Sequence, residues 1–114
     1  MPDFDASVIC LINEQRAANN MKPLRPNELL QDSAYIYVTS QLSGEFFSHD
    51  GSVDGRPDLS NPIKRLRFLG YIPPGKRWIV GEDLRQATLG TDTPAGVVQA
   101  WMNSLPHRAE ILKA

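Results

Sequence analysis

The chain has 114 residues, 41% of them apolar, with 12 basic and 13 acidic side chains and a net charge of −1. That length allows one core, so a single domain over 1–114 is expected, and the charge balance argues against nucleic acid as a partner. The longest apolar run, Val8-Ile9-Cys10-Leu11-Ile12, is far too short to cross a bilayer, and no basic-then-apolar export leader opens the sequence. Cys10 is the sole cysteine, which excludes an internal disulfide and a thiolate metal cluster. Its place in the apolar run predicts a buried, inert thiol.

In chain order, Asp5 or Ser7 is placed to cap a first helix carrying Val8, Leu11, Ile12 and Ala18 inward, with Asn19-Asn20 ending it. Asn13 and Arg16 share one side of it. This spacing allows either a solvated face or an amide and a guanidinium reaching neighbouring backbone together. Lys22-Pro23-Leu24-Arg25-Pro26 is an extended connector, because two prolines so close forbid a helix. A second helix opens at Pro26-Asn27-Glu28, carries Leu30, Ala34, Tyr37, Val38 and Gln41 at helical spacing, and stops at Ser43-Gly44. Phe46 and Phe47 should bury at least one ring, drawing Ser48 and His49 to the edge of the core. From Asp50 to Pro62 the composition predicts a long ordered loop.

Asn61-Pro62 caps a short third helix through Ile63, Leu66 and Leu69, closed by Gly70. Lys76-Arg77-Trp78-Ile79-Val80 is expected to be a β-strand running into Gly81-Glu82-Asp83-Leu84. Thr93-Pro94 starts a helix with Val97, Val98, Trp101 and Met102 on its apolar face, ending near Ser104. Leu105-Pro106 breaks it, and the chain restarts with His107-Arg108 in a new first turn.

The two histidines, His49 and His107, each stand at the boundary of an ordered element, and Glu82 follows a glycine that permits close backbone approach. Two imidazoles, a carboxylate and water suit a zinc ion with an open position, although the spacings of 33 and 25 match no local ligand pattern. The bland readings stand beside this one. Loop histidines are usually solvated, Glu82 has Arg85 and Arg108 as candidate ion-pair partners, and Ser104 has a helix end to satisfy. A nucleophilic Ser104 with His107 and Glu82 lacks a glycine-flanked elbow.

Taken together, Leu11-Ile12-Asn13-Glu14-Gln15-Arg16, Phe47-Ser48-His49, Gly81-Glu82-Asp83-Leu84 and Trp101-Met102-Asn103-Ser104 to His107-Arg108-Ala109-Glu110-Ile111-Leu112 resemble the CAP superfamily. That is the superfamily of cysteine-rich secretory, antigen 5 and pathogenesis-related proteins, and the likeness is to its bacterial SCP-like extracellular branch. The resemblance implies an α+β fold, an α-β-α sandwich, with a cleft holding two histidines and acidic residues. Some members hold zinc or another divalent cation there. Carried over by position, the metal ligands would be His49 and His107, the candidate catalytic residue Glu82, and the cleft lining Ser104, Asp83 and Arg108.

Three departures stand out against that pattern. Serine occupies 104 where eukaryotic members have a second glutamate, and Asp83 follows Glu82 where the family has asparagine. Family domains also continue past the Ile111-Leu112 helix into strands that complete the sheet. The chain is therefore expected to be truncated at its C-terminus and helix-rich, with an open sheet edge for a partner or a second copy to cover. The function implied is a secreted domain whose cleft takes a divalent metal, a small ligand, a lipid or a cell-wall component, with no established turnover. The alternatives are a metal-assisted hydrolase with Glu82 as general base and Arg108 offsetting oxyanion charge, and an extracellular interaction module without active chemistry.

Overall fold

In a computed structural model, residues 2–44, 46–51, 53, 56–73, 75, 80–86 and 92–113 are described. Their regular structure is helical: α1 (Pro2–Ala18), α2 (Glu28–Gly44), a 3₁₀ turn at Pro57–Leu59, α3 (Pro62–Phe68), α4 (Pro94–Met102) and α5 (Leu105–Ile111). An isolated antiparallel bridge joins Val53 to Arg56. Of the strand expected at 76–80, residues 76–79 lie outside the described set. The chain divides into two compact units, Pro26–Leu84 and one built from Met1–Arg25 with Arg85–Ala114.

In the unit built from both chain ends, α1 packs on α4, and α4 on α5. Val8, Leu11 and Ile12 recur at i, i+3, i+4 and lie against buried Val98, Met102 and Ile111, with Trp101 and Leu112 at the margin. Each fully buried aliphatic side chain contributes about 1.5–3 kcal/mol to this core. α1 starts earlier than Asp5 or Ser7 would set it, and Ala18 is exposed. Cys10 is exposed too, contrary to the expectation of a buried thiol. It lies two residues past Val8, about 200° around the helix and off the face that packs.

The alternatives for Asn13 and Arg16 resolve in favour of backbone recognition. Asn13 Nδ2 donates to Leu24 O at 3.1 Å and its Oδ1 accepts from Leu24 N at 2.7 Å, pinning the two-proline connector. Arg16 Nε donates to Lys22 O, and its Nη1 to both Ile111 O and Lys113 O, each at 2.7 Å. The guanidinium thereby takes up carbonyls at the C-terminal end of α5, where a helix leaves acceptors unpaired. α1 itself ends as expected at Asn19-Asn20, with Asn20 in the left-handed region at φ 60°.

α4 begins as its sequence dictates: Thr93 Oγ1 accepts from Gly96 N at 3.0 Å, and Pro94 occupies the first turn. Val97, Val98 and Met102 are buried. α5 follows Ser104, whose side chain makes no capping hydrogen bond.

In the Pro26–Leu84 unit, α2 packs on α3, and α3 on the 3₁₀ turn. The α2 boundaries match expectation, and of the expected face Tyr37 and Gln41 are buried. Ser33, Tyr37 and Gln41 are buried at i, i+4, i+8, while Leu30, Ala34 and Val38 are exposed. The stripe chosen is the one with hydrogen bonds to offer. Gln41 Oε1 accepts from Ser48 N at 3.2 Å, and the Tyr37 hydroxyl donates to Ser48 O. α3 is capped by Asn61, whose Oδ1 accepts from Lys64 N at 2.9 Å, and is closed by Gly70 at φ 81°. Tyr37, Val53 and Leu59 form the core, flanked by Ile36, Phe46 and Leu84.

Candidate functional site

The turn after α2 carries the first candidate. Phe46 packs its ring against Tyr37, centroids 6.0 Å apart and planes tilted by 56°, while Phe47 is exposed. One ring is thus enough to anchor the turn. Gly51 lies so close to this pair that a Cβ there would stand 2.3 Å from the Phe46 ring and 3.0 Å from the Tyr37 hydroxyl. Together with the Tyr37 and Gln41 hydrogen bonds to Ser48, this holds Ser48-His49-Asp50 in place, His49 with its side chain half exposed.

Glu82 lies at the other end of the same unit and meets this turn. His49 Nδ1 is 2.8 Å from Glu82 Oε1, and Arg65 Nη2 donates to Glu82 Oε2 at 3.1 Å. Of the expected partners, Arg85 pairs instead with Asp92 at 3.0 Å. Arg65 is 2% exposed. Its Nη1 donates to Leu59 O at 3.2 Å and its Nη2 to His49 O at 3.3 Å, and the guanidinium carbon sits 3.5 Å above the Tyr37 ring. The desolvation of this buried guanidinium is offset by a carboxylate, two carbonyls and a π-face together. Its Nε has no hydrogen-bond partner among the described residues.

The tyrosine feels this surrounding. Burial raises the Tyr37 pKa above 10.0, with Glu82 and Asp50 pushing the same way and Arg65 opposing them. Beside Arg65 is an apolar cavity of about 20 Å³, lined by Ser33, Ile36, Leu59, Arg65, Phe68 and Leu69, with room for little more than a water molecule.

Of the residues singled out from sequence, the structure therefore brings together His49 and Glu82. Asp83 adjoins Glu82 and is half-buried. His107 and Arg108 lie half-buried in the first turn of α5, and Ser104 half-buried just before it, all in the other unit. Arg65 and Tyr37 were not anticipated as site residues. A signal for Arg65 existed: in a helix of seven residues, positions 62, 65, 66 and 69 share one side, so Leu66 and Leu69 bring Arg65 inward with them.

The donors can be tested against a divalent ion. Structural and catalytic zinc take three or four protein ligands. Among the described residues, no group of three His, Cys, Asp or Glu side chains is arranged to hold one. His49 has Nε2 to give, with a carboxylate behind its other nitrogen, as metal-binding histidines have. These residues fit one corner of a metal site rather than a complete one.

A model of the cysteine-rich secretory protein family matches residues 10–114, and the chain belongs to that family. It is 29% identical over 109 residues to the uncharacterized protein YkwD of Bacillus subtilis (strain 168), a match covering 96% of this chain and 38% of that protein. The chain thus spans well under half the length of that relative. No solved structure matches it. No described helix is long and apolar enough to cross a membrane.

Proposed function

We propose that this chain is an extracellular ligand-binding domain of the cysteine-rich secretory protein family, with His49 presented by Glu82 and Arg65 as its ligand-facing group. The family membership supports secretion, and the 2.8 Å contact between His49 Nδ1 and Glu82 Oε1 is the observation that carries the site. Both Glu82 oxygens are engaged, Oε1 with His49 and Oε2 with Arg65, which favours binding over turnover with that carboxylate as general base. On the family resemblance, the fold proposed is an α-β-α sandwich.

A divalent cation is the first ligand to try. The His49 imidazole would bind it, Glu82 would stay outside its coordination, and the resemblance adds His107 as a second donor. Zinc added to the intact chain is expected to raise the melting temperature, an effect lost in His49→Ala and in His107→Ala. A shift that survives His49→Ala removes the cation from this site. No shift in the parent chain leaves the small-ligand reading, which a screen of lipids and cell-wall fragments against the same two variants then decides.

A further inference from the structure

We infer that Arg65 is a positioning residue that acts through Glu82 to hold His49 in its Nδ1–H tautomer, so that the lone pair of Nε2 is what a ligand meets. This rests on the reading of His49 as the ligand-facing group and specifies how that group is prepared.

The argument runs from donors to acceptors. Arg65 offers only N–H groups, so Glu82 Oε2, 3.1 Å from its Nη2, accepts. A carboxylate paired in this way has only lone pairs to present on Oε1, and His49 Nδ1 lies 2.8 Å from it. Nδ1 must therefore carry the hydrogen, and in the neutral ring Nε2 is then bare. Free histidine favours the opposite tautomer, so the arrangement is a property of the fold.

Arg65 is held so that it can impose this. The nitrogen that grips Glu82 also donates to the main-chain oxygen of His49 at 3.3 Å, tying together the residue and the partner of its ring. Leu59 O fixes the other arm of the fork, and the Tyr37 ring lies beneath the plane. A lysine would keep the charge and lose the fork and the stacking.

Nitrogen-15 NMR of the histidine-labelled chain reads the outcome directly at about pH 8.5, two units above the reference imidazole value of ~6.5. With two histidines in the chain, a His49→Ala spectrum assigns the signals. His49 is expected to show a protonated Nδ1 and an unprotonated Nε2. In Glu82→Gln the amide must turn its oxygen to Arg65, leaving its N–H₂ facing Nδ1, so the tautomer should invert while the melting temperature moves by only a few degrees. Arg65→Lys should return His49 to the mixture of the free ring. A parent His49 with its proton on Nε2 overturns the proposal, as does a Glu82→Gln chain that keeps the Nδ1–H form. A folded Arg65→Lys chain that keeps the Nδ1–H form also overturns it, and should that chain not fold, Arg65→Gln is read the same way. Zinc chloride titrated into the parent and Glu82→Gln chains separates the two ideas: a retained tautomer with no zinc or ligand effect sinks the binding reading alone.

Discussion

Two arginines show how the halves of this molecule differ. Arg16, 4% exposed, gives its charge to three main-chain carbonyls, two at the end of α5 and one in the connector after α1. Arg65, 2% exposed, shares its charge with a carboxylate that in turn touches a half-exposed histidine. Both solve the problem of a buried cation, but neutral acceptors end the chain of interactions whereas a carboxylate passes it on. A buried arginine on carbonyls is a joint. One on a carboxylate that reaches the surface is the back of a site.

That contrast can be broken from its structural side first. Ile111→Ala removes a buried core side chain and is expected to cost about 2–5 kcal/mol in urea unfolding. Arg16→Met strips three carbonyls of a charged donor and should cost about 3 kcal/mol. Neither should move the His49 nitrogen signals; movement there would show that the joint also sets the site.

On the site side, Tyr37→Phe keeps the ring against Phe46 and under Arg65 but loses the hydroxyl bond to Ser48 O, for about 1 kcal/mol. Its pH signature is sharper. The Tyr37 pKa is raised in the fold by burial, so above pH 10.0 the unfolded chain gives up this proton first. The stability tied to it is fully present below that pH and is lost as pH rises through the folded value. Urea midpoints across the alkaline range should therefore fall less steeply in Tyr37→Phe than in the parent. Equal slopes would place Tyr37 in a more open setting than its 1% exposure indicates.

The smallest effect sits at the surface. Arg56 holds the exposed Asp58 carboxyl below its ordinary 3.8 through hydrogen bonds of 3.1 and 2.5 Å. In Arg56→Ala the Asp58 titration, followed by NMR, should move up towards 3.8 with little change in melting temperature. A large loss of stability would mean that Arg56, stacked 4.6 Å over the Phe68 ring, acts chiefly through that packing.

Much of the local structure was legible because local rules write it. Asn61 and Thr93 capped their helices, prolines opened α3, α4 and α5, and Asn20 and Gly70 took left-handed turns, all within a few residues of the signals that predict them. Periodicity located α2 and placed Tyr37 and Gln41 inward, but it also placed Leu30, Ala34 and Val38 there, which are exposed, and left out Ser33, which is buried. The same weighting placed Cys10 inside, where α1 turns it outward.

Residue chemistry and helical spacing by themselves determined where the helices after α1 start and stop, and they marked His49 and Glu82 as groups worth watching. Tertiary structure alone decided that these two meet, and that Arg65, which was not singled out as a site residue, stands behind them. The reason is physical: caps and turns are satisfied within a few residues of chain, while a buried charge takes whatever acceptors the fold delivers. For Arg65 those acceptors come from residues 6, 16 and 17 positions away.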